Sequence, residues 1–205
     1  MSAAPIRIGV FGGTFDPPHL GHLLLAENAA DALGLTQVLF TPAADPPHKE
    51  AEAVSPAPHR VKMVELAIED NPRFALARID LDRPGPHYTA DTMRLMQQLR
   101  PDADLYFLMG GDALRDFPKW HQPADILRYA RLGVMRRPGA VIDLSKIEVV
   151  IPGITDHIRF VDAPEIGISA TTIRERLHDG QSIRYQVTAK VERYIMEHHL
   201  YRNIP

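Results

Sequence analysis

The stretch that decides the fold is IRIGVFGGTFDPPHLGH, residues 6–22. Ile6 to Phe11 is short, apolar and partly β-branched, as expected of a strand buried on both faces. It runs into Gly12 and Gly13, and helical spacing sets in from Leu20 to Leu33. The bend therefore falls at the carboxyl end of a strand, where doubly wound sheets bind ligands. Two glycines there give either a tight structural turn or a place where a phosphate meets the backbone, with the free N–H groups and dipole of the following helix favouring an anion.

Working outward, Val38 to Thr41, Phe74 to Ile79, Leu105 to Met109, Leu132 to Met135 and Ile158 to Val161 resemble the first strand. Helical spacing separates them at Pro58 to Glu69, Thr89 to Leu99 and Gln122 to Tyr129, and closes the chain at Ser169 to Leu177 and Thr188 to Leu200. Strand and helix alternate, so the chain is expected to form one α/β domain over residues 1–205, a Rossmann-like doubly wound parallel sheet finished by C-terminal helices. Val141 to His157 has no clear pattern, and the Pro-rich segment from Pro42 to Pro58 is the longest irregular connection.

Composition narrows the chemistry. Nearly half of the 205 residues are apolar, enough for a substantial core, and 23 Lys and Arg against 26 Asp and Glu leave a net charge of −3. That balance gives no general reason to expect a nucleic-acid or membrane surface, so a polyanion must be held locally. The absence of cysteine excludes disulfides, thiolate metal sites and cysteine nucleophiles. With neither a signal-peptide pattern nor a run of about 18 apolar residues, the chain reads as soluble and cytoplasmic.

His19 and His22, three apart at the start of the helix, fall on one face beside its positive end, where each can donate N–H bonds to a polyphosphate. Bound anionic charge would favour their imidazolium forms, against the opposite push of the helix dipole. Solvated surface histidines and a zinc pair are the rivals, although Asp16 is the only evident carboxylate near them. Mg²⁺ carried on a nucleotide's own phosphates needs few protein ligands.

A second helix start lies at ISATTIR, Ile168 to Arg174, where Thr172 stands three before Glu175 as in a capping box. Capping alone explains the hydroxyls. Arg174, one turn inside, can fork onto phosphate oxygens. His48 and Lys49 offer two cations after the second strand, Asp112 follows the fourth strand and either caps a helix or accepts from a ribose, and Trp120 is either a core anchor or a stacking surface for a flat ligand.

Together these segments resemble the HxGH nucleotidyltransferase superfamily, and within it the bacterial nicotinate-nucleotide adenylyltransferases. The likeness covers nearly the whole chain through GGTFDPPHLGH at Gly12 to His22, PPHK at Pro46 to Lys49, YTADT at Tyr88 to Thr92, FLMGGDALRDFPKWH at Phe107 to His121, RRPG at Arg136 to Gly139 and ISATTIR. The resemblance implies transfer of AMP from ATP to nicotinate mononucleotide, with Mg²⁺ on the ATP phosphates and no nucleic-acid or membrane partner. It assigns the catalytic phosphate contacts to His19, His22 and Arg174, helped by Gly12, Gly13, Thr14, Lys49, Ser169 and Thr171. Asp112 and the backbone near Ile168 would address adenosine, Trp120 would stack on the pyridine ring, and the N–H groups of Thr89 and His121 would receive its carboxylate. Ala44, Ala170 and His87 depart from the residues that relatives often carry there. A nicotinamide mononucleotide adenylyltransferase, or a nucleotide-sensing module on the same fold, is the alternative; a sensor has no need for both histidines and Arg174.

Overall fold

The computed structural model describes residues 5–44, 54–136, 141–164 and 166–201. Six strands, β1 (Ile6–Gly13), β2 (Gln37–Pro42), β3 (Phe74–Leu76), β4 (Ala103–Gly110), β5 (Ala130–Arg136) and β6 (Ile158–Asp162), form one parallel sheet in the order β3-β2-β1-β4-β5-β6. This is the expected doubly wound sheet, and its order reverses between β1 and β4, which opens the crevice above their carboxyl ends.

Side-chain alternation divides the core. Ile8, Val10, Leu105, Phe107 and Met109 point to a layer that includes Met93 of α3 (Thr89–Leu99) and Ile126 of α5 (Pro123–Tyr129). Phe11, Tyr106 and Leu108 face Ala26, Ala29 and Ala30 of α1 (Leu20–Leu33) and Val64 and Ile68 of α2 (Ala57–Ile68). The period of two along β1 and β4 thus meets helices on both faces, which accounts for their continuous apolar character. The C-terminal helices α8 (Ala170–His178) and α9 (Ala189–Glu197) bury Ile173, Leu177, Val191 and Ile195 against Met63 of α2.

The expected strand from Phe74 to Ile79 ends at Leu76. It is an edge strand pairing only with β2, over three residues, so nothing extends its ladder. The segment after β4 holds a short helix, α4 (Gly111–Asp116), and a 3-10 turn over Phe117–Lys119, neither signalled by periodicity. Val141 to His157 contains α6 (Ser145–Val150) and α7 (Ile154–His157). Helices this short have too few turns to show a repeating apolar stripe.

Candidate active site

The turn after β1 is held by its aromatic side chain. Phe15 adopts φ +52, a left-handed backbone that is costly for a bulky residue, by about 1–3 kcal/mol. Its ring is 2% exposed and packs edge-on against Phe11, at 5.7 Å, and His22, at 5.0 Å, so burial offsets the strain.

His19 is the N-cap of α1 and His22 its third residue, and their rings stack with centroids 3.7 Å apart. The backbone N–H of His19 donates to His22 Nδ1 at 3.1 Å, so neutral His22 carries its proton on Nε2. Gly21 makes the stack possible, because a Cβ there would lie 2.9 Å from His19 Nδ1. The same position is 3.7 Å from the Ile168 carbonyl, which brings the start of α1 against the start of α8.

Burial pushes His19 down to about 4 and holds His22 well below the ordinary imidazole value, with mutual repulsion lowering His22 further. Both rings are therefore neutral in the free protein near pH 7, since burial penalises charge, and the imidazolium forms expected beside a bound polyanion are not those of the free protein.

Arg174 sends Nη1 to the Asp16 carbonyl at 2.8 Å, tying α8 to the β1 turn. The helix starts where expected, but Ser169, not Thr172, is the N-cap of α8: its Oγ accepts from the Thr172 N–H at 3.1 Å. Thr171 Oγ1 lies 3.5 Å from Arg174 Nη2. Lys49, His48 and the rest of PPHK, together with residues 137–139 of RRPG, lie outside the described residues.

Sequence reasoning missed the frame beneath this cluster. Arg60, 1% exposed, donates to the carbonyls of Thr14, Ala43, Ala44 and Ser55 at 2.7–3.1 Å, joining the carboxyl ends of β1 and β2 to the start of α2. Asp16, also 1% exposed, accepts from the Ser55 N–H at 3.1 Å and the Tyr201 hydroxyl at 2.6 Å. The Tyr201 phenol is pushed upward, chiefly by burial and then by the Asp16 charge, and stays a neutral donor. A signal for Arg60 existed: it occupies the apolar i, i+3, i+4 stripe with Met63 and Val64.

Two cavities open at this end of the sheet. One, of about 1000 Å³, lies over β4, β5 and the segment after β6, lined by Gly110, Asp112, Arg136, Lys146 and Gly167. Asp112 and the stretch leading to Ile168 thus border the same space. The other, of about 650 Å³, lies over β2, β1 and β4 and is lined by Gly12, Gly13, Asp80, Thr89, Trp120 and His121. The Trp120 ring packs on Phe107 and Phe117 at centroid distances of 5.8 and 5.4 Å, and the residue also lines this cavity. Tyr88, stacked on His121 with ring centroids 3.9 Å apart, lines the same cavity. Ala44 contributes its carbonyl to Arg60, Ala170 is the first residue of α8, and His87 Nε2 lies 3.0 Å from the Arg83 carbonyl.

Among the described residues no group of three or more His, Asp or Glu is placed to hold a metal ion, and no helix is long and apolar enough to cross a membrane.

Residues 10–176 match the cytidylyltransferase-like family. A Thermomicrobium roseum protein named "Probable nicotinate-nucleotide adenylyltransferase" is 48% identical over 97% of this chain and 92% of its own. A Thermus thermophilus protein of the same name is 46% identical over 96% of this chain and all of its own. The solved Plasmodium falciparum nicotinic acid mononucleotide adenylyltransferase complexed with NaAD superposes with a TM-score of 0.77 over 96% of this chain and 97% of its own, at 19% identity, a likeness of fold. The chain belongs to the cytidylyltransferase-like family and, within it, to the nicotinate-nucleotide adenylyltransferases.

Proposed function

We propose that this chain transfers the AMP part of ATP to nicotinate mononucleotide, giving deamido-NAD and pyrophosphate. The observation that carries the reading is the pair of cavities sharing β4, with the His19, His22 and Arg174 cluster at the neighbouring end of β1. Two ligands can then bring their phosphates to one point.

An oxygen of the mononucleotide phosphate attacks the α-phosphorus of ATP, and the bond from that phosphorus to the bridging oxygen of the β-phosphate breaks. The electron pair leaves with pyrophosphate. Because the nucleophile is already ionised near neutral pH, neither a general base nor an enzyme nucleophile is required. What the protein supplies is alignment, worth about 7–11 kcal/mol at best, and donors for the charge on the transferring group. His22 Nε2–H and the His19 ring are neutral donors in the free protein, and bound phosphate charge raises both toward the imidazolium form. Arg174, oriented by Nη1 on the Asp16 carbonyl and with Nη2 beside Thr171 Oγ1, can fork onto phosphate oxygens.

Gly12, Gly13, Thr14, Ser169 and Thr171 complete the phosphate contacts, and Lys49 is assigned there by the family resemblance. Asp112 and the Ile168 backbone address adenosine. Trp120 stacks on the pyridine ring, while the N–H groups of Thr89 and His121 take its carboxylate. Mg²⁺ comes as part of the substrate, on ATP's own phosphates, where it needs few protein ligands.

Pyrophosphate release tests the reading, with ATP supplied alongside nicotinate mononucleotide, nicotinamide mononucleotide or phosphopantetheine. Release is expected with the first; none with any of the three would overturn the enzyme reading.

A further inference from the structure

We infer that Asp80 is a positioning residue for recognition of the pyridine mononucleotide, acting through Arg83 and Thr92 on the segment that carries Tyr88 and Thr89; this rests on the reading of the 650 Å³ cavity given above. Asp80 follows the short edge strand β3, is 9% exposed and lines that cavity. Three donors converge on its Oδ1: Thr92 Oγ1 at 2.7 Å, Arg83 Nη2 at 2.9 Å and Arg83 Nε at 3.1 Å. Arg83 then reaches forward, its Nη1 donating to the Pro86 carbonyl at 2.9 Å, and its own carbonyl lies 3.0 Å from His87 Nε2.

Thr92, 3% exposed, stands in the first turn of α3, where its backbone N–H donates to the Tyr88 carbonyl at 3.1 Å. Its hydroxyl is 3.1 Å from the same carbonyl, but the single hydroxyl proton goes to the nearer, charged Asp80. Each of these bonds begins and ends between residues 80 and 92, so the cluster is a local clamp on the entry of the chain into α3. Tyr88, the N-cap, makes no side-chain cap bond, which leaves the first-turn N–H groups, Thr89 among them, available to a ligand. The clamp therefore sets the direction of the Thr89 N–H and the plane in which Tyr88 stacks on His121.

A buried ion pair of this kind is poor support for stability and better suited to fixing a geometry, because desolvation offsets most of its attraction. None of the hydrogen bonds among the described residues joins Asp80, Arg83 or Thr92 to His19, His22 or Arg174. Loosening the clamp should disturb one substrate and spare the other.

The test is steady-state kinetics of the full chain and of Asp80→Asn, Thr92→Val and Thr92→Ser, with each substrate varied in turn. Asp80→Asn and Thr92→Val are expected to raise the KM for nicotinate mononucleotide by about tenfold or more and to lower the preference for the acid over the amide mononucleotide. The KM for ATP should stay within about twofold, and Thr92→Ser, which keeps the hydroxyl, should behave as the unmodified chain. Equal rises in both KM values, or unchanged kinetics with a lowered melting temperature, would show a general structural role and overturn the inference. An unmodified chain that releases no pyrophosphate with ATP and nicotinate mononucleotide would instead remove the reading of the cavity on which the inference rests.

Discussion

The two cavities meet along β4 yet are built in opposite ways. On the mononucleotide side the walls are tied down before any ligand arrives: Asp80, Arg83 and Thr92 form the clamp, Tyr88 stacks on His121, and Trp120 is braced by Phe107 and Phe117. On the other side the Asp112 and Arg115 side chains, ion-paired with each other, are 91% and 71% exposed, and Val141 is 93% exposed. A rigid wall loses little freedom when it binds and can reject a near-isostere, whereas exposed side chains must be ordered by the ligand itself. The difference teaches that selectivity should sit in the braced cavity, the one proposed for the pyridine mononucleotide, rather than in the open one. In the function proposed above, the stacked histidines and Arg174 meet the phosphates of both ligands and discriminate neither.

Substitutions can break that contrast. The largest expected effect is His22→Ala, which removes a donor from the shared centre: the turnover number should fall about 10²–10³-fold, with a much smaller change in ATP affinity. Comparable losses in turnover and in binding measured by calorimetry would reduce His22 to ground-state attachment. Next comes pH. His19 is pushed down to about 4 in the fold, against an ordinary value of 6.5, so as pH falls the unfolded chain takes up the proton first. Stability conferred by the neutral ring is complete above pH 6.5 and is lost between about 6.5 and 4, by up to about 3 kcal/mol. Urea denaturation from pH 7.5 to 4.5 should show this slope, flattened in His19→Ala and kept in Trp120→Ala.

Smaller effects separate the two sides. Trp120→Ala should raise the KM for nicotinate mononucleotide about tenfold while leaving the KM for ATP nearly unchanged, as steady-state kinetics would show. Asp112→Asn, at an exposed position, should change the KM for ATP by no more than about threefold and the other KM not at all. A larger effect there would mean that the open cavity tightens around its ligand more than its free form suggests.

Much of this was legible in the sequence. Every strand was locatable because each is a short apolar run, and the glycine turn with its two histidines announced the ligand end of the sheet. Beyond the short helices after β4 and β5, four features were not. The early end of β3 depends on its lying at the sheet edge, which only the topology reveals. The neutral state of His19 and His22 follows from burial by residues distant in the chain. That Ser169 and not Thr172 caps α8 is a choice among adjacent hydroxyl residues that spacing alone leaves open. Asp16 finds Tyr201 across nearly the whole chain, a contact that no local pattern encodes. Arg60 differed, because a lone cation on an apolar stripe can be read directly as a buried guanidinium.

The most direct measurement of the central claim is kcat/KM of the unmodified chain for nicotinate mononucleotide and for nicotinamide mononucleotide at saturating ATP. A preference for the acid of about tenfold or more is predicted, since the proposed receivers of the carboxylate, the N–H groups of Thr89 at the start of α3 and of His121, are satisfied less well by an amide. Equal values, or a preference for the amide, would contradict the assignment of selectivity to the rigid cavity.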